Sequence, residues 1–215
     1  MKRRLRLLLA VLLLTAPLAS AQSGDSANAV FLVASPGLQD PNFRRSVVLV
    51  TQMADGRSLG LVLNRPGPRS LAQILPDHAL LQRHTEPIYL GGPVEAAGLF
   101  ALVRTGKNPQ GALKVLADVS FALDPAVVEQ LLHAPPAQVR FFNGYAGWLP
   151  GQLALELERG GWLLLNADAD TVFRNNMDTL WQELLLRARA LSAGQSPPGD
   201  EDGAAAGSVR ASRLH

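Results

Sequence analysis

The stretch FFNGYAGWLPGQLALELERGGW, Phe141–Trp162, holds five glycines, one proline, two tryptophans and a tyrosine. Glycine permits backbone conformations and close approaches that a side chain forbids, whereas aromatic rings need a prepared surface to lie on. Together they predict a glycine-rich turn supported by buried rings. A second reading makes Tyr145, Trp148 and Trp162 an aromatic platform for a ligand. The segment from Gln152 to Arg159 fits two elements: Leu153, Leu155 and Leu157 alternate as in a strand, while Leu153 and Leu157 share a helical face.

Working outward, apolar and β-branched runs at Ala29–Ala34, Ser46–Thr51 and Ser58–Asn64 predict strands, and Asp55-Gly56 between the last two predicts a hairpin. Pro66 and Pro68 are expected to stop the third run, since proline donates nothing to a ladder. Further strands are expected at Pro87–Leu90, Gly98–Arg104, Leu113–Ala117, Val139–Phe142 and Trp162–Asn166. Ser70 and Asp124 read as helix N-caps, the second followed by a proline at the first helical position. Asp168 and Asp170 are expected to cap a short helix through Phe173, and Thr179–Leu191 to form a closing helix. Strands and helices mix without regular alternation, which predicts an α+β domain rather than a doubly wound sheet.

Four motifs recur in order: Ala34-Ser35-Pro36-Gly37-Leu38-Gln39-Asp40-Pro41-Asn42-Phe43, Gly60-Leu61-Val62-Leu63-Asn64-Arg65-Pro66, Gly91-Gly92-Pro93-Val94, and Gly144-Tyr145-Ala146-Gly147-Trp148-Leu149-Pro150-Gly151-Gln152-Leu153. In this order and spacing the chain resembles the YqgE/AlgH family of bacterial proteins, from Ala29 to Trp181. The resemblance implies one compact α+β domain, residues 29–191, whose mixed sheet curls into a partial barrel with helices packed outside. It implies no established enzymatic activity and carries over no catalytic, cofactor or metal residues. A role in transcriptional control of alginate production is attributed to one branch. That attribution makes a cytoplasmic regulator the alternative expectation for this chain.

The amino terminus departs from that family, whose members usually lack an export signal. Lys2, Arg3, Arg4 and Arg6 form a positive n-region, Leu5–Leu14 is an apolar run, and Ala19-Ser20-Ala21 matches a small-x-small cleavage pattern. Residues 1–21 therefore read as a signal peptide cut between Ala21 and Gln22, giving a periplasmic or secreted protein. An uncut anchor is the competing reading, but the run is shorter than the roughly 20 residues a spanning helix needs. Residues 22–28 read as a solvated leader and 192–215, rich in Gly, Pro, Ala, Ser and charge, as a disordered tail. The whole chain carries 20 Lys and Arg against 18 Asp and Glu, and losing the four basic residues of the signal leaves 16 against 18. That balance supplies no electrostatic footprint for nucleic acid. The expected partner is an unidentified protein or small ligand, with no stable membrane span once the signal is removed.

Candidate sites are few. Asn64-Arg65 and Gly91-Gly92 both lie at strand ends, so an arginine and backbone amides there form a candidate crevice for an anion or a peptide. The competing reading is turn chemistry with Arg65 in a structural pair. Gly56-Arg57-Ser58-Leu59-Gly60 matches the Gly-x-Ser-x-Gly pattern, yet Ser58 opens a strand instead of a strand-to-helix elbow. His78, His84 and Glu86 fit no metal-ligand template, and His133 reads as a helix-end histidine. No cofactor motif is present.

Overall fold

Residues 29–194 are described by a computed structural model. The segments expected to be a signal peptide and a solvated leader, and residues 195–215 of the expected tail, lie outside the described residues. β1 (Val30–Ala34), β2 (Val47–Gln52) and β3 (Ser58–Val62) form an antiparallel meander, and β10 (Trp162–Asn166) pairs along the free side of β1. The hairpin between β2 and β3 turns where Asp55-Gly56 predicts: Gly56 has φ +83°, and Asp55 Oδ1 accepts from the Arg57 amide at 3.0 Å. A second set comprises β6 (Val94–Arg104), β7 (Leu113–Leu116) and β8 (Val119–Ala122).

β9 (Val139–Trp148) joins the two halves, giving the order β10-β1-β2-β3-β9-β6-β8-β7. Its first residues pair with β6 and its last with β3. β6 keeps its edge of β9 as far as Tyr145, while on the other edge the partner passes from β5 (Pro87–Leu90) at Phe142 and Asn143 to β3 at Ala146, across Gly144, which has φ +68°. Before it, Phe142 enters the large central core, and Val139 and Phe141 enter a second cluster on the opposite face. After it, Tyr145 packs against the central core, while Ala146 and Trp148 turn to a third cluster. Strict alternation would put 142 and 146 on the same face, so the strand loses its phase at Gly144. Such a kink is how one strand passes between two differently inclined parts of a sheet. It curls the sheet into a half-barrel and makes this a single α+β domain.

The crossing is tight. A Cβ at Gly91 would lie 2.3 Å from the Gly144 carbonyl oxygen, and one at Gly144 would lie 2.3 Å from the Gly92 oxygen. Glycine is required at both, because the two backbones touch where β9 changes partner.

Both faces of the sheet are covered. α5 (Leu180–Gly194) and the short α4 (Ala169–Val172) close the central core, with Leu180, Leu184, Leu185 and Ala188 meeting Phe31 and Phe142. Each fully buried leucine there stabilises the fold by about 1.5–3 kcal/mol. α2 (Pro125–Leu131) lays Val127, Val128 and Leu131 on the second cluster, and α3 (Gln152–Glu158) sets Leu153 and Leu157 against the third. The expected caps are in place: Ser70 forms a reciprocal capping box with Gln73 at α1 (Leu71–Ile74), Asp124 accepts from Ala126, and Asp168 from Thr171.

Several elements differ from expectation, β8 among them, since no strand was expected at Val119–Ala122. Pro66 and Pro68 do not end all strand structure: they sit in β4 (Pro66–Ser70), which pairs irregularly with β5 (Pro87–Leu90) away from the main strand path. A short irregular ladder tolerates missing donors. The glycine-rich segment is not a turn at Gly144 or Gly147; β9 runs through both, and the turn comes at Leu149–Gly151. α5 continues to Gly194, past Leu191, with Ser192 Oγ donating back to the Ala188 carbonyl at 3.0 Å.

Candidate functional site

The ambiguous segment Gln152–Glu158 is helical because glycines terminate it at both ends. Gly151 stands at its N-cap with φ +79° and Gly160 follows it with φ +72°. The Gly161 amide donates to Glu156 O at 3.0 Å and the Gly160 amide to Leu157 O at 2.9 Å, a left-handed glycine cap that ends the helix sharply. This places Gln152 and Glu156, one turn apart, on the side facing Trp148 and Trp162.

Glu156 is the hub. Its Oε2 accepts from Trp148 Nε1 at 3.0 Å and from Trp162 Nε1 at 2.9 Å, while Oε1 accepts from Gln152 Nε2 at 3.0 Å. The Gln152 Oε1 in turn accepts from the Leu149 amide at 3.1 Å. Phe43 reaches in from the loop after β1, stacking on Trp148 at 5.8 Å and meeting Trp162 edge-on at 5.6 Å. The three rings and one carboxylate form a rigid floor. Both tryptophans are buried, so the support reading of these rings describes them better than a free platform does. Tyr145 lies apart, edge-on to Phe100 in the central core.

An open cleft of about 510 Å³ lies over this floor. Ser35, Leu38 and Asp40 form one wall, Gln152 and Arg159 another, and Gly147 and Pro93 an end. The Ser35 amide donates to Gly161 O at 3.0 Å, which ties the two walls together. Thus the first and last of the four sequence motifs, more than a hundred positions apart, meet in one cleft. Sequence reasoning missed Glu156 and Asp40. The available signal was the spacing of Gln152 and Glu156 between two tryptophans, which has meaning only once that segment is known to be helical.

A family model described as AlgH-like matches residues 31–191, which include every residue of the cleft. The chain belongs to the AlgH-like family. It is 36% identical over 160 residues to a UPF0301 protein of Mycobacterium tuberculosis, covering 73% of this chain and 79% of that one. A UPF0301 protein of Mycobacterium avium is likewise 36% identical, over 164 residues, with 73% and 80% covered. Among solved structures, the AlgH protein of Pseudomonas aeruginosa is similar with a TM-score of 0.61 and 29% identity, over 80% of this chain and 96% of that one. Protein DIP2367 of Corynebacterium diphtheriae shares the fold, with a TM-score of 0.60 and 23% identity over 74% and 85% of the two chains.

The candidate crevice residues do come together, although outside this cleft. Leu90 N donates to Arg65 O at 2.8 Å, and Val62 N to Gly91 O at 2.9 Å. The Gly91 amide is not exposed: it donates to Asn143 O at 2.8 Å. Asn64 bridges two chain segments, its Oδ1 accepting from Val47 N and its Nδ2 donating to Arg45 O, both at 2.9 Å. Arg65 is half-buried and donates from Nη2 to Arg44 O at 3.0 Å. Burial holds its guanidinium below the usual range, the charge of Arg44 lowers it further, and Asp40 opposes both.

Ser58 opens β3 and is buried, paired across the ladder with Trp148, so no strand-to-helix elbow presents its hydroxyl. His84 is buried edge-on against Phe141, with Nε2 2.8 Å from Leu132 O, whereas His78 is exposed. Among the described residues no group of three acidic or histidine side chains stands close enough to hold a metal, and no helix is long and apolar enough to cross a membrane.

Proposed function

We propose that this AlgH-like protein is an exported, non-enzymatic binding domain whose contact site is the cleft between the Asp40 loop and α3. The observation that carries the reading is Glu156, whose carboxylate takes both indole donors and Gln152. A group with its oxygens engaged in this way orients a surface; it is poorly placed to accept a further proton from a substrate. The floor is therefore preorganised, and a ligand that fits it loses little to ordering the site. The size suits a small molecule or a short chain segment. Export is supported by the positive n-region, apolar run and small-x-small pattern within residues 1–21.

Two measurements test the halves separately. Cell fractionation with sequencing of the mature amino terminus should find the chain outside the cytoplasm, beginning at Gln22; an uncut chain in the cytoplasm refutes export and favours the regulator alternative. For the cleft, Gly37 has an ordinary φ, and its nearest neighbour is Ser35 Oγ at 3.9 Å. Gly37→Leu should leave the melting temperature unchanged while removing the fragment-induced shifts of the Trp148 and Trp162 indole N–H signals in a small-molecule NMR screen. Fragments that shift both proteins alike, or none that shift the wild type, would sink the cleft.

A further inference from the structure

The loop from Ser35 to Arg45 has a second face. Beside the cleft, and sharing Leu38 and Gln39 with it, a groove of about 540 Å³ is lined by Pro36, Leu38, Gln39, Arg44, Arg45 and Trp181. Arg44 and Arg45 are exposed, and the half-buried Arg65 lies close enough for Arg44 to act on its charge. The ion pairs among the described residues involve Arg57, Arg104 and Arg174, and none involves these three arginines. Asp40 acts on the Arg65 guanidinium in the opposite sense, and its carboxylate accepts from the Asn42 amide at 2.7 Å.

Like charges placed together without partners repel, and a fold that retains them does so against that cost. Here the loop is also held in an unfavourable conformation. Arg45 has φ +53°, one of two non-glycine residues among those described with a positive φ. A left-handed backbone at a long side chain is sparsely populated, and such outliers cluster at ligand sites. The outlier sets the Arg45 guanidinium over the Trp181 ring, 5.7 Å from its centroid. The ring holds the cation by its face, leaving the N–H edge for an acceptor. Asn64 and Arg65 fix the carbonyls of Arg45 and Arg44 from behind, so the pair is positioned before any ligand arrives.

We propose that this groove is an oxyanion site that takes a phosphate monoester with a compact apolar body. Arg44 and Arg45 contact the phosphate oxygens, Trp181 and Leu38 receive the body, and Asn64 and Arg65 are positioning residues. A phosphate dianion neutralises two guanidinium charges at once and accepts in the forked geometry that arginine offers. The ligand is either a soluble monoester or the headgroup of a phosphatidic-acid-type lipid, and the proposal does not rest on the cleft reading.

The test is titration of the isotopically labelled protein with phenyl phosphate, following the Trp181 indole N–H by NMR, beside a flotation arm with phosphatidic acid and phosphatidylcholine vesicles. Wild-type protein should give a saturable Trp181 shift at millimolar phenyl phosphate. Losing one charged hydrogen-bonding partner should weaken binding roughly tenfold or more in Arg44→Gln or Arg45→Asn. Asparagine tolerates the left-handed backbone, so Arg45→Asn should melt no lower than wild type, and Arg44→Gln carries the test if it does not fold. Gly37→Leu should bind phenyl phosphate normally, which separates failure of this site from failure of the cleft. Vesicle flotation with phosphatidic acid alone, in addition to the Trp181 shift, assigns the lipid source; its absence assigns the soluble one. No saturable shift, an equal shift in both arginine variants, or vesicle binding without phenyl phosphate binding would overturn the proposal.

Discussion

The two faces of the Ser35–Arg45 loop present opposite chemistry. On the cleft side, Glu156 is engaged by two indoles and a glutamine, and the rings around it are buried against each other. On the groove side, Arg44 and Arg45 stand exposed, of like sign, and outside every ion pair among the described residues. A polar group whose partners are internal holds a structure together; its removal lowers stability. Charges without partners contribute little to folding and leave their interaction energy for something else. The contrast sets a scaffold of paired groups under the cleft against unpaired charge on the groove, on two sides of one eleven-residue loop.

The largest effect should break both faces at once. Gly91→Ala places a Cβ 2.3 Å from the Gly144 oxygen and 2.8 Å from Leu61 Cδ2. It should cost more than about 4 kcal/mol, the exceptional range for one substitution, or abolish folding, as read by urea denaturation or soluble yield. Next comes a change confined to the cleft side. Glu156→Leu strands two indole donors and should cost about 2–4 kcal/mol, with Glu156→Gln losing less because one acceptor remains. The Trp181 signal should stay in place in both variants. If Glu156→Leu melts with wild type, the scaffold half of the comparison fails.

Arg45→Asn sharpens the other side, because relief of a left-handed arginine should raise stability by about 0.5–1 kcal/mol or leave it level. A large loss in thermal denaturation would make Arg45 structural and erase the contrast. The smallest effect is a reference pair outside both faces. Arg174 and Thr179 hold Glu183 at the start of α5, lowering its carboxyl from 4.5 to about 2. A depressed acid contributes its stability above the ordinary value and loses it as pH falls through the depressed one. Glu183→Gln should therefore differ from wild type at neutral pH, with the difference shrinking between pH 4.5 and about 2 in thermal denaturation. The pair is exposed, so the difference should be small.

Much of the local structure was legible because it follows from short-range chemistry. Asp55-Gly56 made a hairpin, Ser70, Asp124 and Asp168 capped helices, and apolar runs made β1, β2 and β10. Of the candidate crevice at Asn64, Arg65, Gly91 and Gly92, the sequence could not show that the Gly91 amide is taken by the Asn143 carbonyl. β4 was hidden by its prolines, and β8 is a four-residue strand with no turn signal of its own. Gln152–Glu158 was undecidable because its leucines satisfy both periods, and only the glycine caps and the tryptophan partners select the helix.

By itself the sequence determined the family, the α+β class and the places where glycine had to stand, because those rest on local backbone limits and on ordered motifs. Only the tertiary structure decided what the glycines were for. At Gly144 one strand changes face and partner, and at Gly91 two backbones touch. Neither event has a sequence period. Likewise Asp40 and Glu156 reach one cleft, and Arg45 comes to lie over Trp181, through the fold of the whole chain and not through spacing. Contacts between residues far apart in the chain depend on where the whole sheet bends, and that is set by packing on both faces at once.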